Sequence, residues 1–364
     1  MVISVIRRTM MTPVWLAQIL TPSKSFKANP IIGSRLLNRM GLHVGRLLAA
    51  HAIMGLRYAL QTPFLSAKDR KAFWRDGFIL KHDFLPRAEF EALRDAVFRY
   101  EGVVRELIEG KTVTQRVLLT QDLQEQIPAF RRIARHLGLV RLMRYASATN
   151  SAPLFYVENL VRRGNKSETD PQTTFHSDTF HPTAKCWLFL HDVTADEGPF
   201  VYVPGSHRLT WARVKWEHRR SLTARDCRDG HSEHGSFRVQ PHELPEMGYK
   251  RSPRTFTVSA NTLVVASTFG FHARGTAASA TSRQAVWGFS RTNPFSPFPG
   301  IDCALTRWVG DILRRLYFRS LDHRTRNGAV PNRRIYTGPL CLSSVPEGRR
   351  AGMKAGMKSG ATCI

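Results

Sequence analysis

The chain has 364 residues, of which 42% are apolar and 23% are charged, a composition that supports a sizeable core and excludes global disorder, collagen and coiled coil. Its five cysteines are widely spaced and form no CxxC pair, so we predict no disulfide framework, no zinc ribbon, and a reducing, cytoplasmic location. The formal net charge of +26 is concentrated at the ends, because residues 1–68 hold nine Lys and Arg with no acid and residues 301–364 hold twelve with four acids.

Residues 1–68 are predicted to be a basic, amphipathic N-terminal extension. Apolar residues recur at helical spacing between Ile32 and Leu48, with arginines among them. No stretch is long and apolar enough to span a membrane, and no secretory signal peptide is evident. Such a helix could lie on an anionic membrane surface, where each basic residue contributes about 1 kcal/mol. The alternatives are a helix packed on the rest of the protein with its arginines in solvent, and a mitochondrial presequence.

Residues 69–300 are predicted to form one domain that starts with helices and continues as short strands. The helices are expected at residues 69–74, 86–100 and 127–145, and a strand is expected directly after Gly77. Further strands are predicted where β-rich runs alternate with Gly, Pro and Asn, at residues 153–161, 186–190, 200–203, 255–258, 262–266 and 285–289. Strands that follow one another without helices predict a mainly β protein with helical additions, built as an antiparallel sandwich or barrel.

Two polar segments interrupt or follow these strands. Residues 210–246 are rich in charge and histidine, and we expect them to be an insertion between strands that would serve as a lid. Residues 301–364 are predicted to contain a helix at 302–321 and a basic tail that is disordered from Val345 onward.

The most informative motif is Thr174-Phe-His-Ser-Asp-Thr-Phe-His. On an extended chain the side chains at i and i+2 point the same way, so the imidazole of His176 and the carboxylate of Asp178 could converge on one metal ion. A third ligand would complete the 2-His-1-carboxylate set that leaves positions open on non-haem Fe(II). Taken alone, an H-x-D pair is also compatible with a surface loop or a simple His–Asp hydrogen bond.

Two further segments follow the pair in a fixed order. The first is Gly198-Pro-Phe-Val-Tyr-Val-Pro-Gly-Ser-His, and the second is a strand from Thr262 that leads to His272, with Arg283 eleven residues later. Together with the H-x-D pair, these segments resemble the phytanoyl-CoA dioxygenase family of Fe(II)/2-oxoglutarate-dependent oxygenases, over roughly residues 77–294. The ordered set is far more specific than any one of its parts.

This resemblance implies a double-stranded β-helix, a jelly-roll (cupin-like) core in which His176, Asp178 and His272 bind Fe(II). It also implies that Arg283 pairs with the distal carboxylate of the co-substrate 2-oxoglutarate, a role that suits a guanidinium because it stays charged when buried. The alternative for Arg283 is an outward-facing arginine of a sheet. Asn159 stands where the family often places an amide near 2-oxoglutarate, and the alternative is an asparagine bonded to neighbouring backbone.

Other polar and aromatic residues are weaker candidates. Arg274 lies two residues after His272, where several relatives carry a small hydroxyl residue, and it could contact 2-oxoglutarate or an anionic substrate. His181 and His207 are expected to be structural. The remaining candidates are expected in the core (Trp187, Phe189 and Tyr202) or in a solvated loop (His231, His234 and His242).

The resemblance implies a hydroxylase, since related halogenases lack the carboxylate that Asp178 supplies. The expected reaction hydroxylates a substrate C–H and releases succinate and CO2. The basic termini suggest an anionic or lipid-linked small molecule, such as an acyl-lipid, an acyl-CoA or a lipid-linked sugar, and peripheral contact of residues 1–68 with an anionic membrane. The alternative is a nucleic-acid- or membrane-binding jelly-roll protein without turnover. Specific nucleic-acid recognition is disfavoured because no helix-turn-helix, RNP-like pattern or zinc finger is present.

Overall fold

A computed structural model of the chain describes residues 11–110, 112–162, 170–277 and 281–340. The strands within these residues are, in chain order, β1 (Phe78–Lys81), β2 (Glu101–Glu109), β3 (Thr112–Leu118), β4 (Leu154–Arg162), β5 (Ala184–Phe189), β6 (Phe200–Tyr202), β7 (Arg254–Thr255), β8 (Leu263–Ser267), β9 (His272–Arg274), β10 (Thr281–Ser290) and β11 (Arg333–Pro339). They form an eight-stranded sheet in the order β1-β8-β5-β10-β4-β3-β2-β11 and a three-stranded sheet in the order β7-β6-β9. Neighbouring strands in both sheets run antiparallel.

The α-helices of the same part of the chain lie mostly before the strands of the core or after them. They are α1 (Arg35–Arg39), α2 (Leu42–Gln61), α3 (Ala67–Asp76), α4 (Arg87–Phe98), α5 (Gln121–Gln126), α6 (Pro128–Ala134), α7 (Leu137–Ala146), α8 (Trp211–Thr223), α9 (Glu243–Glu246) and α10 (Ala304–Arg326). None of the described helices combines the length and the apolar character that a bilayer span requires.

The two faces of the large sheet have different neighbours. On one face, Val157 of β4 and Val286 of β10 belong to a core that α4, α6 and α7 complete. On the other face, Trp187 of β5 packs against Phe200 of the small sheet, with ring centroids 4.3 Å apart. Because side chains alternate along a strand, every second residue of the large sheet faces the space between the sheets. The chain is therefore an antiparallel double-stranded β-helix with helical additions, which confirms the predicted fold class.

The predicted helices and strands are all present, and the structure adds helices α5, α8 and α9, which were not predicted. It differs from the prediction in three further ways. The helix expected at residues 127–145 is divided into α6 and α7, because His136 caps α7 through a hydrogen bond that its Nδ1 accepts from the N–H of Leu139 (3.2 Å). Strands β2 and β3 were not predicted, since charged and polar residues occupy both of their faces. Strand β11 was also missed, and it joins the edge of the large sheet by pairing with β2.

The N-terminal helices pack on the protein, and Arg35 and Arg39 are exposed as one alternative predicted, whereas Arg46 and Arg57 are buried. Helices α1 and α2 are separated by Gly41, whose positive φ of 100° suits a residue without a side chain. Arg46 donates to the carbonyl of Ile19 (2.8 Å) and lies 4.5 Å from the ring centroid of Phe180. Arg57 donates to the carbonyl of Asn293 (2.8 Å). Carbonyl oxygens thus accept from each guanidinium, while Nη1 of Arg46 and Nε of Arg57 are buried without a hydrogen-bond partner among the described residues.

Residues 210–246 look polar in sequence, and most of their charged residues are exposed, but Arg213 and Glu217 form a buried pair. Glu217 of α8 accepts hydrogen bonds from Arg213 of the same helix (2.8 Å) and pairs with His43 of α2 (2.9 Å). These contacts join the segment to the N-terminal helices. The disordered tail expected from Val345 lies outside the described residues, as do Cys341 and Cys363, and the three described cysteines are free.

Candidate metal and 2-oxoglutarate site

Backbone pairing brings the three predicted metal ligands together. His176 and His272 form an isolated antiparallel bridge, in which each backbone N–H donates to the other residue's carbonyl at 3.0 Å. Asp178 is held two residues further on, where its N–H donates to the carbonyl of Thr268 (2.9 Å). Because side chains at i and i+2 point the same way, both members of the H-x-D pair turn toward His272.

The side chains of His176, Asp178 and His272 form a compact donor set. One carboxylate oxygen of Asp178 lies 3.9 Å from Nε2 of His176 and 3.7 Å from Nε2 of His272. All three potential ligand atoms lie within 4.8 Å of one another. Among the described residues, no other group of three or more His, Cys, Asp or Glu side chains has this geometry. The arrangement matches the 2-His-1-carboxylate type that suits ferrous iron.

The protonation of the two imidazoles fits a bound cation. Nδ1 of His176 lies 2.9 Å from the carbonyl of Thr174, and Nδ1 of His272 lies 2.9 Å from the carbonyl of Gly270. Since a carbonyl can only accept, each Nδ1 carries the hydrogen and each Nε2 presents a lone pair. Burial lowers the pKa of both histidines, which keeps them neutral. Nε2 of His272 is buried and has no hydrogen-bond partner among the described residues, as expected of an atom that binds a metal.

Asp178 is held by two lysines that the sequence analysis did not single out. Lys185 of β5 places its Nζ 2.7 Å from the second carboxylate oxygen, and Lys24 donates to the Asp178 backbone carbonyl. Burial alone would raise the pKa of Asp178, but the ammonium group of Lys185 holds it well below its usual value. The carboxylate is therefore ionised. Lys185 could have been noticed as the one charged residue at the start of an apolar run.

The Pro-Gly-Ser-His turn supports the strand that carries His272. The hydroxyl of Ser206 accepts the backbone N–H of Phe271 (2.8 Å), directly before the metal-site histidine. A Cβ on Gly270 would lie only 1.9 Å from the hydroxyl oxygen of Tyr202, so this position needs a glycine. The Pro-Gly-Ser-His turn and Gly270 thus reflect how closely β6 and the start of β9 approach each other.

Arg283 lies buried on β10 beside the same space. It donates to the carbonyl of Gly198, the first residue of the Gly-Pro segment. Burial, with a further contribution from Arg274, lowers the pKa of Arg283 to about 10. No carboxylate of the described residues forms an ion pair with it. A buried guanidinium without a counter-ion is costly, so the arrangement suits a bound carboxylate.

A cavity of about 240 Å³ connects these groups. Arg274 follows His272 on the same face of β9 and pairs with Asp170 (2.5 Å), so part of its charge is already balanced. Trp187, expected in the core rather than at a substrate platform, is buried as predicted and also lines the cavity. The other lining residues that matter here are apolar (Phe200 and Trp287) or paired in a salt bridge (Arg116 and Glu158, 2.7 Å).

The structure does not bring Asn159 to this cavity. Its amide nitrogen donates to Gln115 (2.8 Å), and its oxygen accepts from Ser282 (2.7 Å). On β4 it has the same orientation as Val157, which faces the helices, whereas the neighbouring Glu158 lines the cavity. A contact between Asn159 and a ligand in the cavity would require β4 to turn over.

His181 is bonded in the core as predicted, but the structural hydrogen bond expected for His207 is not found, since both of its ring nitrogens are buried without a partner among the described residues. His181 places its Nδ1 3.1 Å from the carbonyl of Pro182, and the ring of His207 lies 5.3 Å from that of Phe73. Burial lowers the pKa of both histidines to about 3. Phe189 and Tyr202 are buried, and the insertion histidines are partly or fully exposed at the surface (His231, His234 and His242).

Comparison with known proteins agrees with the resemblance seen in the sequence. Residues 73–244 match the family model of phytanoyl-CoA dioxygenase. Among solved structures, the non-haem α-ketoglutarate-dependent epimerase SnoN from nogalamycin biosynthesis is 20% identical with a TM-score of 0.41, over 61% of this chain and 81% of SnoN. HygX from Streptomyces hygroscopicus, with nickel and 2-oxoglutarate bound, is 16% identical with a TM-score of 0.38, over 63% of this chain and 88% of HygX. No curated protein matches the chain. Residues 73–244, slightly less than half of the chain, are thus similar to the phytanoyl-CoA dioxygenase family, and this segment contains His176 and Asp178 and ends before His272.

Proposed function

We propose that the protein is a non-haem Fe(II)/2-oxoglutarate-dependent dioxygenase that hydroxylates a small molecule. In this proposal His176, Asp178 and His272 bind the iron, and Arg283 binds the distal carboxylate of 2-oxoglutarate. The observation that carries it is the convergence of the three ligand atoms within 4.8 Å. The buried, partnerless Nε2 of His272 supports a cation there, and the buried Arg283 supports an anion in the same cavity.

Each residue of the site has a distinct task in the reaction. When bound, iron and 2-oxoglutarate supply an oxidative decarboxylation, which converts O2 and 2-oxoglutarate to succinate and CO2 and leaves the oxidising power to turn a C–H bond into C–OH. Lys185 keeps Asp178 ionised and oriented through its 2.7 Å contact. Trp187, Phe200 and Trp287 limit the access of water to the cavity. Arg274 lies at the side of the cavity, where it would contact 2-oxoglutarate or an anionic substrate.

The proposed substrate class is an anionic or lipid-linked small molecule, such as an acyl-lipid or an acyl-CoA. The net charge of +26 supports an anionic partner. In the N-terminal region, proposed to touch an anionic membrane, Leu36, Met40 and Leu48 are exposed although they belong to the apolar helical pattern. The division into residues 1–68, 69–300 and 301–364, and the cytoplasmic location, stay predictions.

The test is anaerobic addition of Fe(II) and 2-oxoglutarate, followed by admission of air. We expect a weak visible charge-transfer band and then succinate, even without the natural substrate, because 2-oxoglutarate turnover is commonly uncoupled. Asp178→Ala should remove both signals, whereas His231→Ala, in the exposed loop, should keep them. A folded protein that binds no iron would refute the proposal. Iron binding without any succinate would favour a jelly-roll binding protein instead.

A further inference from the structure

Helix α10 carries an apolar stripe that faces away from the protein. Leu305, Trp308, Ile312, Leu313 and Leu316 recur at helical spacing, and they are between 37% and 65% exposed. Scattered exposed leucines are ordinary, but a contiguous stripe along one helix is typical of an interaction surface. These five residues are called the outer face of α10 below.

The inner side of α10 is held to the protein mainly by polar contacts. Arg315 pairs with Asp122 of α5 (2.8 Å) and with the buried Asp311 of its own helix (2.6 Å). Asp322 pairs with Arg105 of β2 (2.8 Å), and the same guanidinium lies 4.6 Å from the ring centroid of Phe318. A helix surrounded only by water would gain more by turning its apolar stripe toward the sheet. The observed orientation therefore indicates that the outer face has an apolar partner.

The charges around the outer face indicate what kind of partner this is. Arg319, Arg324 and Arg326 follow the stripe on the next turns of α10, where they are exposed and form no ion pair with a described residue. An apolar helix face next to clustered arginines, with a tryptophan in the stripe, is the pattern of helices that lie in the headgroup region of anionic membranes.

The apolar surface continues from α10 toward the other basic end of the chain. Phe298 and Ile301, just before the helix, are both exposed. Asn293, in the same connection, donates to the carbonyl of Leu20, another exposed apolar residue (3.1 Å). The fold thus brings together two regions that are far apart in sequence and that hold much of the positive charge.

Helix α10 also lies on the cavity side of the large sheet. Along β2, Arg105 contacts the helix, while Leu107 and Glu109, with the same orientation in the strand, line the cavity. We propose that the outer face of α10 docks the protein on an anionic lipid bilayer and thereby presents the cavity to molecules held in that bilayer. The delivery of a lipid-linked substrate rests on the proposed function, whereas the docking itself does not.

The experiment is flotation of the full chain with vesicles of phosphatidylcholine alone or of equimolar phosphatidylcholine and phosphatidylglycerol. We expect binding to the anionic vesicles, weakened by salt because the arginines contribute. The double variant Trp308→Gln/Leu313→Gln should lower the partition coefficient roughly a hundredfold, since two large apolar side chains no longer enter the lipid. Unchanged binding by this variant, or equal binding to both kinds of vesicle, would overturn the proposal.

The matched control is Trp211→Gln/Leu137→Gln, which removes an exposed tryptophan and an exposed leucine outside both α10 and residues 1–68. We expect this control to lose much less binding, and an equal or greater loss would show that α10 is not the docking element. The remaining alternative is that a second copy of the chain covers the outer face, and light scattering of the wild type tests it. A dimer that dissociates in Trp308→Gln/Leu313→Gln, together with no binding to vesicles, would assign the outer face to a second copy. Succinate formation without vesicles is measured on the same samples. Lost flotation with intact turnover rejects only the docking, and the reverse result rejects only the proposed oxygenase.

Discussion

Glu217 is the residue whose removal should most clearly reveal a buried charge network. Its side chain is 1% exposed and it accepts hydrogen bonds from Nε and Nη2 of Arg213 at 2.9 and 2.8 Å. Its second oxygen pairs with Nε2 of His43 at 2.9 Å. Arg213 is itself fully buried and lies 3.7 Å from the ring centroid of Phe271. Replacing Glu217 by Gln would leave this guanidinium charged in an apolar environment.

The magnitude follows from burial of the pair. Breaking a buried ion pair by removing one partner costs about 3–5 kcal/mol, because the other charge stays buried without compensation. With an unfolding entropy of roughly 2.1 cal/mol/K per residue, each kcal/mol corresponds to about 1–2 °C in a chain of this length, so we expect the melting temperature to fall by about 4–7 °C. A double variant, Arg213→Met with Glu217→Leu, should lose less than Glu217→Gln because it removes both charges.

The assay is thermal unfolding followed by circular dichroism, with Glu91→Gln as the control. Arg87 and Glu91 have the same i, i+4 spacing on α4 (2.9 Å) but are exposed to solvent, so the control should cost at most about 0.5 kcal/mol. Equal shifts for the two variants, or a double variant less stable than Glu217→Gln, would refute the reasoning.

The same pair makes stability depend on pH with a defined sign. Burial would raise the pKa of Glu217, but Arg213 and His43 outweigh it and the pKa lies below its usual value of 4.5. The stabilisation is therefore present above about pH 4.5 and is lost as the pH falls through the lower, folded-state pKa. The wild type should lose stability on acidification more steeply than Glu217→Gln.

The remaining predictions concern the candidate site. Arg283→Ala should weaken 2-oxoglutarate binding by about 10–100-fold, because one charge-assisted interaction is lost, and calorimetry should show an unchanged affinity for iron. The control is Arg291→Ala at an exposed position. An equal loss of 2-oxoglutarate affinity in both variants would reject the assignment of Arg283. Lys185→Met should lower iron affinity by about 10–100-fold while the melting temperature changes little, as for other groups that orient a metal ligand; undiminished affinity would contradict this. Gly270→Ala should destabilise the fold by about 1–3 kcal/mol through its clash with Tyr202, measured by unfolding in denaturant. An unchanged free energy of unfolding would show that β6 shifts to make room for the new methyl group.

Local sequence rules predicted the elements of the site better than the direction of each side chain. The i, i+2 spacing placed His176 and Asp178 on one side of the chain, and the structure has them so. Asn159 shows the limit of such rules. Both faces of β4 are buried, by helices on one side and by the small sheet on the other, so no alternation of polar and apolar residues reveals which face an asparagine joins.

Long-range charge pairing was also beyond the reach of sequence patterns. Residues 210–246 are polar in composition, which favours a solvated insertion, yet Glu217 meets His43 from 174 positions away. Helix α10 shows a related limit. Its apolar periodicity predicts a helix, and one is found, but periodicity alone places the stripe against the protein, whereas ion pairs such as Asp322–Arg105 turn it outward.

The N-terminal region contributes to the metal site through Lys24, and this contact can be tested. Lys24 is buried and donates to the backbone carbonyl of Asp178, and burial lowers its pKa to about 8 although Asp178 opposes the shift. Lys24→Met would keep the length of the side chain but remove the donor that holds the H-x-D loop. We expect iron affinity to fall about tenfold, at the lower end for residues that position metal ligands, with the secondary structure retained.

The control for Lys24→Met is Lys27→Met, because Lys27 is 64% exposed and its Nζ lies 3.8 Å from the carboxylate of Glu233, beyond hydrogen-bond distance. The control should bind iron as tightly as the wild type, since an exposed pair at this distance restrains little. Isothermal titration with Fe(II) under anaerobic conditions compares the three proteins. Equal affinities would mean that the bridge between His176 and His272, together with Lys185, is sufficient to hold the loop. A selective loss in Lys24→Met would mean instead that the N-terminal region completes the metal site, and a chain shortened past residue 24 would then bind iron as poorly as the variant.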